Sequence, residues 1–257
     1  MKKAVHNRTL FGIIIFFLLF LVQIFLGKAG YFFADMIPYQ KIDPCNCFAR
    51  ISIHHAIQMI IAIIVVIILG KLLKIDFNFK LGDIGKGMKF VALFTAVFAV
   101  ISVAVHILML ICEQLPVYNY PLDTRNILGT LGFNLFLTGP MEEIVYRALP
   151  ITMLIYAFGK SVPIKGNITL EVVLTSLLFA FAHIKWSLNP FAFEVTFNVF
   201  YAFVLGTIQG IVYQKYESIL YPVLMHSFSN VLMVGIGYLF IGGGHHEIKE
   251  TFFTLMS

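Results

Sequence analysis

Two adjacent carboxylates and an arginine stand in "GPMEEIVYRALP", residues 139–150, inside a stretch otherwise apolar enough to lie in a lipid bilayer. Glu143 and Arg147 are four apart, so on a helix they share a face, with the carboxylate on the amino-terminal side, the favourable order for an ion pair. Glu142 lies roughly 100° further round. Its i+4 neighbour is Tyr146, which leaves it without a local counter-charge and makes it a candidate proton acceptor. Two further clusters follow: "FAFAH", Phe179 to His183, and "HSFSN", in which His226 and Asn230 project from one helix face. Together they offer a carboxylate, two imidazoles and an amide. Glu142, His183 and His226 are a donor set able to bind zinc. Equally, the carboxylate can activate a water while an imidazole and the amide donate to a developing oxyanion. No HExxH occurs, so the helical zinc signature gives the metal no support.

A charge at the bilayer centre costs about 2.5–3.5 kcal/mol on insertion scales, so each of these groups needs a partner or a task. Each also has a structural reading. Glu143 with Arg147 reads as a neutral clamp, Asn230 as a bridge between helices, and Glu194 as a residue near the membrane surface. His55 and His106 read as packed, hydrogen-bonded interior residues. Cys45 and Cys47, in "DPCNCF", read as two loop thiols before a metal or redox pair, and Cys112 as core.

The elements that must position these side chains are membrane helices. Of the 257 residues 60% are hydrophobic and 12% charged, and the mean hydropathy is +0.91. Apolar runs at 10–26, 57–69, 90–112, 172–182, 191–212 and 219–241 approach or reach the roughly 20 residues that cross hydrocarbon as a helix. The expected fold is all-α: a single polytopic membrane domain, a bundle of seven or eight transmembrane helices. Alternation at period two is missing, which argues against a barrel. Lys2, Lys3 and Arg8, with Lys71, Lys74, Lys80, Lys86 and Lys89, place the amino terminus and the second connection in the cytoplasm, so the +5 charge is topological and implies no nucleic-acid partner. The first run is too long for a signal-peptide core and reads as a retained span. The tail from Gly242 onward reads as a short extramembrane end.

Residues 124–158 measure ~50 Å as one straight helix, longer than the bilayer core, and Gly139-Pro140 sits in the middle, so a broken helix is expected before EExxxR. Depth poses a further difficulty. At 1.5 Å per residue His183 lies ~24 Å from the cytoplasmic end of its helix and His226 ~12 Å, so one helix must begin deeper, break or curve for the two to meet.

The three motifs in order, Glu142-Glu143-xxx-Arg147, Phe179-xxx-His183 and His226-xxx-Asn230, resemble the CAAX-processing and bacteriocin-processing (CPBP, or Abi) family of intramembrane proteases. The approach "FVLGTIQGIVYQKYESILYPVLMHSFSN" is similar too, with Gly206, Gly210, Tyr213, Ser218, Ile219 and Pro222 in familiar places. The resemblance covers about residues 124–235. It implies a catalytic core at 124–241, preceded by family-variable spans at 1–123. It also implies that Glu142 and His183 activate the hydrolytic water and that His226 and Asn230 hold the oxyanion, with Glu143, Arg147 and Phe179 in support. Zinc at Glu142, His183 and His226 belongs to one of the two mechanisms argued for the family, the other being a glutamate-type route. The implied partners are membrane lipid and a peptide or lipidated protein substrate in an integral membrane, with a bacterial plasma membrane preferred. Two other classes fit buried Glu, His and Arg in broken helices: a proton- or ion-coupled transporter, and a non-catalytic immunity or scaffold protein.

Overall fold

The structure is a computed structural model that describes residues 2–188 and 191–242; the carboxyl-terminal tail from residue 243 lies outside the described residues. Three long helices come first: α1 (Lys2–Asp35), α2 (Ala49–Leu73) and α3 (Ile84–Ile111). Large apolar side chains cover their outer faces, as lipid contact requires. Among the described residues four helices are long and apolar enough to cross a membrane, these three and α9 (Leu220–Gly242). The protein is therefore an integral membrane protein with an all-helical framework, and the expectation of seven or eight crossings is not borne by helices of that length.

The loop before α2 is tied down by Asp43. Its carboxylate accepts from the backbone N–H of Cys47 at 3.0 Å and of Phe48 and Ala49 at 2.7 Å, satisfying donors at the helix start. Cys47 Sγ lies 3.3 Å from the same carboxylate. Burial, reinforced by that charge, pushes the Cys47 thiol up to about 11. Cys45 and Cys47 are free thiols, and Cys112, expected in the core, is exposed at the end of α3.

Residues 124–158 stay helical throughout: α4 (Thr124–Phe133), a π-helical turn at Asn134–Thr138, α5 (Gly139–Glu143), a second π-turn at Ile144–Ala148, and α6 (Leu149–Phe158). The break expected at Gly139-Pro140 is a widening instead. Gly139 keeps right-handed helical angles, φ −57° and ψ −55°. A π-turn just before Pro140 loosens the i→i−4 ladder there, where the proline ring would clash and has no N–H to give. The glycine serves another purpose. A Cβ at position 139 would lie 2.4 Å from Ser227 Oγ and 2.8 Å from the Val223 carbonyl oxygen, so only glycine lets α5 approach α9 this closely.

A short hairpin, β1 (Pro163–Lys165) with β2 (Ile168–Thr169), leads into α7 (Leu170–Ala182). The buried Glu171 carboxylate accepts from Ser161 Oγ, from Val162 N–H at 3.2 Å and from Gln214 Nε2 at 2.8 Å, locking the start of α7 to the end of α8 (Phe197–Tyr216). A second hairpin, β3 (Lys185–Leu188) with β4 (Phe191–Glu194), occupies part of the apolar run expected to be helical from residue 191. Glu194 is exposed there, 3.9 Å from Lys185.

Candidate active site

The second π-turn carries Arg147, and the residues before it carry both glutamates. Glu143 and Arg147 are fully buried, 0% and 1% exposed, with Arg147 Nε 3.2 Å from Glu143 Oε2. The contact is an ion pair rather than an aligned hydrogen bond. The guanidinium is held on two other sides: Nη2 donates to Gln209 Oε1 at 2.5 Å, and its plane lies over the Phe179 ring at 4.1 Å. Gly206 makes room for it, since a Cβ there would stand 3.2 Å from Nη2. The other Glu143 oxygen is 2.7 Å from His226 Nδ1. Glu143 therefore links Arg147 on its own helix to the imidazole on α9.

Glu142 faces a different environment. It lines a cavity of about 110 Å³ together with Thr138, His183, Gln209, His226 and Asn230, room for a few water molecules. Its Oε2 lies 3.4 Å from His226 Nε2 and its Oε1 3.5 Å from His55 Nε2. Neither partner carries the permanent charge that Arg147 gives Glu143.

His183 reaches the same cavity from the end of α7. Its Nδ1 lies 2.8 Å from the Phe179 carbonyl oxygen. A carbonyl only accepts, so Nδ1 carries the hydrogen and Nε2 of the neutral ring is left as a lone pair, the form a base needs. That bond also turns the ring back toward the preceding turn, by up to ~5.4 Å, which is less than half of the ~12 Å expected between the two histidines. Phe179 ties the cluster together, its ring centroid 4.6 Å from His183, 6.0 Å from His226 and 5.1 Å from Tyr146.

The structure thus brings Glu142, His183, His226 and Asn230 to one cavity and packs Glu143, Arg147 and Phe179 beside it. Residues 124–232 match the family model described as type II CAAX prenyl endopeptidase Rce1-like. This segment is similar to an Rce1-like domain. It is the same family to which the three motifs point. Comparison with curated proteins and with solved structures returned no match.

Two residues of the site carry more than the sequence reading gave them. Gln209 was not singled out, yet it holds Arg147 inside the Rce1-like segment. His55, read as a packed interior residue, touches Glu142 from α2, outside the segment. Both are polar groups in apolar helices, and the depth rule that selected the other site residues applies to them equally. His106 does conform to the packed reading, with Nδ1 2.7 Å from the Ser102 carbonyl oxygen. Zinc at Glu142, His183 and His226 is one of two readings, and among the described residues no three of His, Cys, Asp and Glu are placed to hold a metal ion as the side chains stand.

Proposed function

We propose that the cavity hydrolyses peptide bonds of membrane-associated or lipidated substrates, with Glu142 and His183 activating the attacking water and His226 and Asn230 stabilising the oxyanion. The observation that carries this reading is the meeting of those four side chains at one cavity of about 110 Å³ within a helical membrane protein. In the proposed step the water oxygen attacks the scissile carbonyl carbon and the water's proton passes to the Glu142 carboxylate. The carbonyl oxygen becomes an oxyanion and accepts from Asn230 Nδ2 and His226 Nε2. With Nδ1–H donated to Glu143, Nε2 of His226 donates only from the doubly protonated ring, and the Glu143 carboxylate at 2.7 Å is the group that accompanies that ring. As the C–N bond breaks, the leaving nitrogen takes the proton back from Glu142, and a carboxylic acid and an amine result, the acid then losing its proton to the amine or to water.

His183 contributes the Nε2 lone pair to the same water. Glu143 and Arg147 have no substrate atom to touch; they keep α5, α7 and α9 in register. The cavity accommodates water and a scissile group but is well below the ~300–1,000 Å³ of a ligand pocket, so the flanking parts of a substrate must lie outside it. The test compares peptide profiles of membranes containing the intact protein with those containing Glu142→Gln, after both are shown to insert and fold. The expected outcome is a set of cuts made only by the intact protein, with a loss of about 10²–10⁴-fold in E142Q. Equal profiles would refute the assignment.

A further inference from the structure

His55 stands outside both the three motifs and the Rce1-like segment, yet it lies within ion-pair distance of the carboxylate assigned to water activation. Oε1 of Glu142 faces His55 Nε2 at 3.5 Å and Oε2 faces His226 Nε2 at 3.4 Å, so the carboxylate is gripped from α2 and α9, one oxygen to each. The His55 ring is itself fixed. Its Nδ1 donates to the Ile51 carbonyl oxygen at 3.0 Å, Phe133 packs edge-on at 4.9 Å, and His54 packs edge-on at 5.2 Å. His54 is in turn stacked on Tyr31 at 3.7 Å, beneath Arg50 at 4.7 Å. With Nδ1 committed as a donor, Nε2 meets the ionised carboxylate favourably only when it too carries a hydrogen.

The local charge inventory points the same way. Around Glu142 stand Glu143, Arg147 and Tyr146 on its own run, His55 and His54 on α2, His183 beyond α7 and His226 on α9. Two carboxylates and one guanidinium leave one negative charge, which a single proton on His55 or His226, the rings on either side of Glu142, balances, and in a buried site an unbalanced charge is costly.

We propose that His55 is a positioning residue of the hydrolytic site, holding Oε1 of Glu142 so that the carboxylate keeps one orientation toward the cavity. It does not line that cavity and acts through Glu142. The proposal rests on the role given to Glu142 above. It also implies that the amino-terminal helices complete the site.

The test uses the full chain in detergent micelles with an internally quenched farnesylated CAAX peptide as the probe, comparing the intact protein with His55→Ala, His55→Phe and His55→Gln. Phenylalanine keeps the ring's bulk without a nitrogen; glutamine places an amide N–H where Nε2 stood. A carboxylate displaced by ~1 Å loses about 10²-fold in rate. We therefore expect kcat to fall by roughly that factor in H55A and H55F while KM changes less than about threefold, and H55Q to recover most of it. Wild-type kcat in H55F would overturn the proposal, because a residue that only packs is replaced by its shape.

Histidine-selective nitrogen labelling supplies a second readout that needs no turnover. The Nε2 resonance of His55 must move when Glu142 becomes Gln at constant pH; an unmoved resonance also overturns the proposal. If the intact protein leaves the peptide uncut, that result counts against hydrolysis of such a substrate, and the resonance alone decides whether His55 holds Glu142.

Discussion

Along α1 the large apolar side chains Phe17, Leu21 and Phe25 are 60%, 59% and 64% exposed, whereas in residues 139–150 Glu143 and Arg147 are buried to within 1% of completely. Composition alone explains the first region: lipid tails solvate apolar side chains, so α1 to α3 need few specific neighbours on their outer faces. The second region carries charge into the same solvent and needs a partner for every polar atom. Where the partners are found, the helices are fixed relative to one another. Arg147 ties its own helix to α8 through Gln209, and Glu143 ties it to α9 through His226.

The difference can be broken most directly at the clamp. Removing the guanidinium in Arg147→Ala leaves Glu143 buried without its permanent counter-charge, and the expected loss is about 3–5 kcal/mol of stability in the full chain, read by unfolding in detergent. Pairing Glu143→Gln with Arg147→Met should lose clearly less than R147A alone, since no charge is then stranded. A wild-type unfolding curve for R147A would remove the contrast between the two regions.

A smaller effect is expected from Gly139→Ala, where the new methyl meets Ser227 and the Val223 carbonyl. A cost of about 1–3 kcal/mol should appear in the same unfolding measurement, because α9 must move to admit it. The smallest belongs to the lipid-facing surface. Leu21→Ala should stay within about 0.5 kcal/mol of wild type, since an exposed side chain leaves no internal void when shortened. A large loss there would mean that α1 is packed against protein on that face.

Much of this was legible in the sequence because ionisable groups are conspicuous in apolar runs. Glu142, His183, His226 and Asn230 stood out for that reason and meet at one cavity. The Glu143–Arg147 pair followed from helical spacing and is present at 3.2 Å. What spacing could not supply was backbone geometry. Gly139-Pro140 read as a break because proline ends regular helices, but π-turns absorb it and the glycine answers to the neighbouring α9. Straight helices with outward side chains leave a depth gap between the histidines, and the His183 ring, turned back onto the Phe179 carbonyl, narrows it.

His55 was underrated for a different reason. Its partner Glu142 is far along the chain, and a histidine in an apolar helix carries no mark of which interior it faces. The run at 191–212 likewise read as one helix because hydropathy does not distinguish an apolar hairpin from the start of a span.

The central claim is that water enters the bond broken at Glu142. Cleavage of the farnesylated CAAX peptide in H₂¹⁸O, followed by mass spectrometry of the products, tests it most directly. The intact protein should place one ¹⁸O in the newly formed carboxyl group, and E142Q should form no such product above background. Labelled product released by E142Q at the rate of the intact protein would contradict the account.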